Sequence, residues 1–145
     1  MLYAEDLAPG REFEFGSMTL SESDIVEFAR QWDPLRIHTD LAYAKDGPFG
    51  QVIASGLHTL CVFQRMMVDA FGYDIAHKAG HKLELKFLRP VLPGTTLSAR
   101  CRIQDLTLRP ERGDAWLTMH SDVIDQNDHV VLAIGMLGVV LMRPE

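Results

Sequence analysis

Apolar and polar residues follow two different periods along this chain. Between Ser21 and Pro34 the apolar positions lie three and four residues apart, which is the spacing of one helix face. These positions are Ile25, Phe28, Ala29 and Trp32. We expect Trp32 to anchor the helix in the core. Pro34 should end it, because the residue before a proline is disfavoured in the helical region, and Asp33 then lies on a loop at the helix exit.

A second helical segment runs from Leu57 to Phe71, and its apolar residues occupy nearly every side of the helix. A helix that is apolar around most of its circumference is typical of a protein interior. We therefore expect a buried central helix that is capped at its C-terminal end by Gly72.

The remaining pattern is an alternation of apolar and polar residues, which predicts half-buried strands. The predicted strands cover residues 12–15, 82–87, 97–104, 115–125 and 130–141. Turn residues separate the last four, and this favours an antiparallel sheet. The order of the elements predicts an α+β fold in which one antiparallel sheet wraps around one central helix.

Length and charge narrow the possible functions. The chain has 145 residues, which predicts a single domain spanning 1–145. Its formal net charge of −6 argues against a nucleic-acid partner, because such proteins need basic surface to neutralise phosphate. The first residues show no basic leader, and no apolar run reaches the roughly 18 residues of a membrane span. We expect a cytoplasmic protein with no membrane partner.

Cysteine and histidine spacing offers no metal or cofactor motif. Cys61 and Cys101 lie in apolar stretches and are interpreted as reduced core thiols. His77 and His81 have the spacing of helical metal ligands, but Gly80 and the onset of a strand interrupt that helix. Glycine-rich phosphate loops are also missing from the sequence. We therefore predict neither a metal nor a cofactor.

The candidate chemistry lies around two loop residues and a helix start. Asp33 and His38 are five residues apart, and such a pair on a tight loop can converge on one water molecule. Their ordinary pKa values differ, so they could divide acid and base roles. Gly56 follows Ser55 at the start of the central helix, where free N–H groups stabilise negative charge on a carbonyl oxygen. Alternatively, Asp33 caps a loop and Ser55 caps only the helix.

Three segments resemble one known family. They are FARQWDPLRIHTD at 28–40, FGQVIASGLHT at 49–59 and FLRPVLPG at 87–94. In this order they look like the MaoC-like hydratases and dehydratases. The hydratase motif of that family places an aspartate five residues before a histidine, followed by a glycine that opens the central helix. The resemblance covers most of the chain.

The resemblance implies a hotdog fold, which is an antiparallel sheet wrapped around a long helix, usually in a homodimer. It also implies an acyl thioester substrate carried on coenzyme A or an acyl carrier protein. The typical reaction is the reversible hydration of a trans-2-enoyl thioester to an (R)-3-hydroxyacyl thioester. An exposed sheet edge in so small a protomer also favours pairing with a second copy.

Individual roles follow from the same resemblance. Asp33 and His38 match the family's catalytic pair, which holds water and delivers a hydroxyl and a proton to the double bond. Gly56 matches the position whose N–H binds the thioester carbonyl. The residues that we expect to contact the substrate are Ser55, Leu57, Phe49 and Arg36.

Two departures from the family pattern keep other functions open. Leu35 and Arg36 stand where the family often has a second proline, and Arg36 could reach an anionic group or remain a solvated surface residue. Cys61 replaces a serine found in some members. An inactive thioester-binding module is therefore one alternative. A hotdog thioesterase is another, although the only acid within the central helix is Asp69.

Overall fold

The strands form one antiparallel sheet. The computed structural model describes residues 1–145, and its strands are β1 (Glu12–Thr19), β2 (His77–Phe87), β3 (Thr96–Arg109), β4 (Asp114–Ile124) and β5 (Val130–Leu141). Their order across the sheet is β1-β3-β4-β5-β2, so β1 and β2 are the edges. The predicted strands are confirmed, but β1, β2 and β3 are longer than predicted. Backbone hydrogen bonds between strands continue past the residues in which apolar and polar side chains alternate.

Four helices lie among the connections between β1 and β2. They are α1 (Glu22–Trp32), α2 (Arg36–Thr39), α3 (Leu41–Lys45) and α4 (Gly56–Ala70). The long helix α4 packs against β1 and β3 on one face of the sheet. One cluster of 27 buried apolar residues fills the space between helix and sheet. The predicted α+β arrangement of a sheet around a central helix is confirmed.

Helix α1 ends where the sequence predicts, but its anchor is different. The buried residues of α1 are Ile25, Val26 and Ala29. Trp32 is 65% exposed, so its assignment to the core was wrong. It occupies the last turn of α1, and the adjoining Asp33 and Pro34 turn the chain away before another element can cover the ring.

Helix α4 is buried on one side only, which corrects the prediction of burial all round. The side that the sheet and α1 cover carries the buried residues His58, Thr59, Val62, Phe63, Met66 and Met67. Leu57 and Cys61 lie on the other side and are exposed, because a single sheet layer covers only one helix face. Phe71 rather than Gly72 is the C-cap, and Gly72 begins a short 3₁₀ helix.

The two cysteines have different environments. Cys101 is buried in β3, as expected, and burial raises the pKa of its thiol. Cys61 is exposed, so its placement in the core was wrong. Both thiols are free. None of the helices has the length and apolar character needed to cross a bilayer.

Candidate active site

The exit of α1, the start of α4 and the segment after β2 meet at one cavity of about 460 Å³. Six of the seven predicted site residues line it, namely Asp33, His38, Phe49, Ser55, Gly56 and Leu57. They come together because α2 and α3 fold the chain back. The C-terminal end of α1 and the N-terminal end of α4 therefore lie next to each other. Eight of the fifteen lining residues are hydrophobic, which gives the cavity mainly apolar walls.

Asp33 and His38 face each other in this cavity. Oδ2 of Asp33 lies 3.4 Å from Nε2 of His38. The imidazole is 7% exposed and the carboxylate 25%, so both groups are partly shielded from solvent. Asp33 is the C-cap of α1, and the single turn of α2 carries His38 back toward it. The pair has the spacing needed to act on one water molecule.

The hydrogen bond made by Nδ1 determines which ring nitrogen of His38 carries a proton. Nδ1 lies 2.6 Å from the carbonyl oxygen of Ile53. A carbonyl oxygen only accepts, so Nδ1 carries a proton and Nε2 is the atom that can exchange one with the cavity. The N–H of Ile53 also donates to the carbonyl of Ile37 at 3.1 Å, so the same residue fixes both the backbone and the ring of α2.

Ser55 borders the cavity, but its hydroxyl is directed at the carboxylate of Asp33. It is fully buried as the N-cap of α4. Its hydroxyl donates to Oδ2 of Asp33 at 2.6 Å and accepts from the N–H of Leu57 at 3.2 Å. Both hydrogen bonds are internal to the protein, so the hydroxyl is occupied without a ligand. The structure gives this hydroxyl a contact with Asp33, and the contact of Ser55 with substrate stays a prediction.

Gly56 provides a free backbone donor at the helix start. Its N–H has no acceptor in the chain, as is usual in the first turn of a helix. A Cβ atom at this position would lie 2.3 Å from Cε1 of Phe87, so the aromatic ring sits directly against the glycine. Only glycine leaves room for the ring here. The helix N-terminus can therefore donate to a developing oxyanion beside an apolar wall.

The cavity has a buried floor and an exposed mouth. Thr59, Val91 and Val131 at the floor are almost completely buried. Phe49 and Leu57 at the mouth are each about half exposed. An apolar chain would be covered at the floor, while a larger polar portion of the same ligand would remain outside.

Comparison with known proteins agrees with this geometry. The sequence profile of the MaoC like domain matches residues 5–118. The chain belongs to the MaoC-like family. Relative to a MaoC-like dehydratase structure from Rhodospirillum rubrum, this MaoC-like chain has a TM-score of 0.91 and 31% identity, with both chains fully covered. The family resemblance and the hotdog fold predicted from sequence are both confirmed.

Two further relatives extend the comparison. Uncharacterized protein YdeM of Bacillus subtilis is 29% identical, over 96% of this chain and 98% of its own. The structure of the R-hydratase PhaJ1 from Pseudomonas aeruginosa has a TM-score of 0.77 and 21% identity, covering 98% of this chain and 86% of that one. This last likeness concerns the fold alone.

Arg36 is the one predicted site residue that the MaoC-like chain does not bring to the cavity. Its side chain is 72% exposed and lies 3.7 Å from the carboxylate of Asp40. Its guanidinium also stacks over the ring of Tyr43, 5.3 Å from the centroid. Successive residues of a helix turn by about 100°, so Arg36 and His38 point to different sides of α2. Arg36 therefore remains a surface residue in this structure.

Sequence reasoning missed several wall residues of the MaoC-like site. Phe87 and Arg89 line the cavity, as do Thr59 and Val131. The signal for the first two was present, because both belong to the FLRPVLPG segment that carries the resemblance. Arg89 is the only lysine or arginine among the residues that line the cavity. Thr59 ends the FGQVIASGLHT segment, which also carries the resemblance. Val131 had no local signal and is brought here by packing.

Asp69 does not form part of the site. It lies at the far end of α4, is 57% exposed and pairs with Arg65 at 2.9 Å. A carboxylate in this position cannot reach a thioester bound near Gly56. The geometry therefore gives no support to the thioesterase alternative.

Proposed function

We propose that this MaoC-like chain catalyses the reversible hydration of a trans-2-enoyl thioester to an (R)-3-hydroxyacyl thioester. The observation that carries the proposal is the Asp33–His38 pair, with 3.4 Å between Oδ2 and Nε2, in one apolar cavity with the free N–H of Gly56. The thioester would be attached to coenzyme A or to an acyl carrier protein. Arg89 at the mouth supports an anionic carrier.

The reaction can be written with the chain's own groups. Asp33 starts as a carboxylate and His38 as an imidazolium, with water bound between them. Asp33 takes a proton from the water, and the hydroxide oxygen bonds to the β-carbon of the enoyl group. The π electrons of the double bond move toward the thioester carbonyl, whose oxygen becomes negative.

The remaining steps complete the addition. The N–H of Gly56 donates to the negative carbonyl oxygen, and Nε2 of His38 gives its proton to the α-carbon. The next water molecule that binds against both groups then takes the proton from Asp33 and passes one to Nε2, which restores the starting state. One water molecule has been added, and dehydration follows the same steps in reverse. Acid–base catalysis of this kind contributes about 10²–10⁴-fold, and an oxyanion donor about 10²–10³-fold.

The test follows the loss of enoyl-thioester absorbance after crotonyl-coenzyme A is mixed with the purified protein. We expect turnover by the wild-type chain and a loss of at least about a hundredfold in Asp33→Asn, because the base is removed. Asp69→Asn is a matched control, since it alters an exposed aspartate outside the cavity. Unchanged turnover in Asp33→Asn would overturn the proposal.

Two alternative functions give different results in the same experiment. A thioesterase would release free coenzyme A thiol, which a hydratase does not release. An inactive binding module would bind thioesters of several chain lengths without converting any of them. The sequence departures that suggested such a module, at Leu35, Arg36 and Cys61, all lie outside the cavity.

We also propose that two copies of the chain form a homodimer through β2. This strand is an edge of the sheet, and its outer backbone groups have no partner strand. Leu83, Phe87 and the adjoining Leu88 are each more than half exposed, which leaves apolar surface along that edge. Pairing of β2 with β2 of a second copy would cover both features.

Light scattering at micromolar concentration tests the homodimer. We expect twice the mass of one chain, and Leu83→Lys should shift the mass toward the monomer because it adds a charge to the paired edge. Leu108→Lys is the control, because Leu108 is also exposed but lies on β3. A monomeric wild-type chain would contradict the proposal.

A further inference from the structure

The proposed hydration requires one particular oxygen of Asp33 to be free. Oδ2 accepts the hydroxyl of Ser55 at 2.6 Å and lies 3.4 Å from Nε2 of His38. Oδ1 makes no hydrogen bond to the protein. The carboxylate therefore presents one oxygen that is held and one that is available to bind water.

The direction of the Ser55–Asp33 hydrogen bond is fixed by the surroundings of Ser55. The N–H of Leu57 donates to the same hydroxyl oxygen at 3.2 Å, and the only acceptor for the hydroxyl proton is Asp33. Ser55 is completely buried, so water cannot replace either partner. A donated hydroxyl proton stabilises the carboxylate form and limits rotation of the carboxylate.

The same hydroxyl also joins Asp33 to the oxyanion site. Leu57 is the residue after Gly56, whose N–H is free at the start of α4. One side chain thus holds the carboxylate of α1 and the first turn of α4 in a fixed relation. A small displacement between a catalytic base and an oxyanion donor slows a reaction strongly, because both must meet the same substrate.

From these contacts we infer that Ser55 is a positioning residue that holds Asp33 through Oδ2, so that Oδ1 faces the reacting water. This inference rests on the proposed function. It replaces the contact with substrate expected from sequence. Ser55 does not touch the substrate, so its removal should lower kcat while leaving KM nearly unchanged.

The experiment compares Ser55→Ala with Ser21→Ala in turnover of crotonyl-coenzyme A and in urea unfolding. Both serines are N-caps that accept from a helix N–H, but Ser21 caps α1 and its hydroxyl does not contact Asp33. Both variants should lose similar stability through the lost cap. Only Ser55→Ala should lose about ten- to a hundredfold in kcat, with KM within threefold, because a hydrogen bond to a charged group is lost.

A third variant, Ser55→Thr, keeps the hydroxyl and should recover most of the lost kcat. A kcat within threefold of wild type in Ser55→Ala would overturn the inference while leaving the proposed function standing. Equal losses of kcat in Ser55→Ala and Ser55→Thr would also overturn it. A wild-type chain that converts no enoyl thioester would instead overturn the proposed function, and the role of Ser55 with it.

Discussion

At the scale of single residues, the site is defined by which side-chain atoms already have a hydrogen-bond partner within the protein. Nδ1 of His38 is occupied by the carbonyl of Ile53, and Oδ2 of Asp33 by the hydroxyl of Ser55. Two atoms are left to exchange protons with a ligand, Nε2 and Oδ1. These two internal hydrogen bonds therefore determine which atom of each residue takes part in the proposed reaction.

Gly56→Ala tests the contact between the helix start and the aromatic wall. The added Cβ would lie 2.3 Å from Cε1 of Phe87, so the ring must move away from the start of α4. We expect kcat/KM for crotonyl-coenzyme A to fall at least about tenfold. The free energy of unfolding should change by less than about 1 kcal/mol, because the atoms that the Cβ would meet belong to the Phe87 ring, which can rotate about its side-chain bonds.

The double variant Gly56→Ala, Phe87→Ala controls for this effect. Removing the ring also removes the overlap, so the alanine at 56 should then cost little more than Phe87→Ala alone. If Gly56→Ala lowers kcat/KM equally in both backgrounds, the ring is not the cause of the loss.

Spacing along the chain predicted which residues reach the site better than it predicted what they do there. Asp33, His38 and Gly56 lie in the cavity because their spacing fits a short loop between two helices. Arg36 does not, because the direction of a side chain on a one-turn helix depends on its neighbours in space. Ser55 is near the cavity but bonds to Asp33, a residue 22 positions away that no local pattern connects to it.

At the scale of elements, periodicity predicted α1 and α4 correctly but not how many sides of α4 are covered. An apolar residue such as Leu57 contributes to the pattern whether a sheet, a ligand or a second copy covers it. In this chain Leu57 lines the cavity and is about half exposed. The number of layers around a helix is a tertiary property, so the pattern of one segment cannot specify it.

The contact between α1 and α4 includes a buried histidine. The ring of His58 stacks on Phe28 with 4.3 Å between centroids, and its Nδ1 has no hydrogen-bond partner. Burial lowers the pKa of His58, and the carboxylate of Asp24 only partly opposes this. Protonation of His58 is therefore harder in the folded chain than in the unfolded one.

His58 should make the stability of the fold depend on pH. The unfolded chain takes up this proton first as pH falls below about 6.5, so unfolding becomes more favourable down to the lower pKa of the folded chain. One such group contributes at most about 1.4 kcal/mol per pH unit in that window. Urea unfolding of His58→Phe between pH 7 and pH 5 should show less dependence on pH than the wild type.

His81→Gln is the control for this measurement, because His81 is exposed on β2. The pH dependence of its unfolding should match that of the wild type. If His58→Phe and the wild type lose stability in parallel as the solution is acidified, burial of His58 does not contribute to the fold's pH dependence.

At the scale of the whole molecule, one buried carboxylate connects several strands. Asp114 at the start of β4 is 1% exposed. It accepts from Nζ of Lys78 on β2 at 2.6 Å and from Nε of Arg109 on β3 at 2.7 Å. The hydrogen bond from Lys78, with the help of Arg109, holds the pKa of Asp114 below its ordinary value. Lys78 crosses β5 to reach this carboxylate, so the cluster spans four of the five strands.

Asp114→Asn should destabilise the sheet at neutral pH, because it leaves two cationic side chains without their carboxylate. A carboxylate whose pKa is lowered by folding stabilises the chain above its unfolded pKa, and this contribution is lost as pH falls through the folded pKa. The difference in urea midpoint between variant and wild type should therefore be largest at pH 5 to 7 and should become smaller below about pH 4.

Asp105→Asn provides the comparison, since Asp105 is exposed and its one side-chain partner is Thr107 at 3.5 Å. This variant should unfold at the same urea concentration as the wild type. Equal midpoints for Asp114→Asn and the wild type at pH 7 would show that the cluster does not stabilise the sheet.

The two hydrogen bonds that Ile53 makes to α2 also bear on how this protein can evolve. Residues 39–52 therefore form a connecting segment whose two ends are held together beside His38 by these hydrogen bonds. The turn at 46–50 within it is largely exposed, and Phe49 from this turn borders the cavity. Insertions, deletions and replacements there can reshape the entrance without moving Nε2 of His38. Under the proposed function, substrate preference can therefore change in this segment while Asp33 and His38 keep their roles.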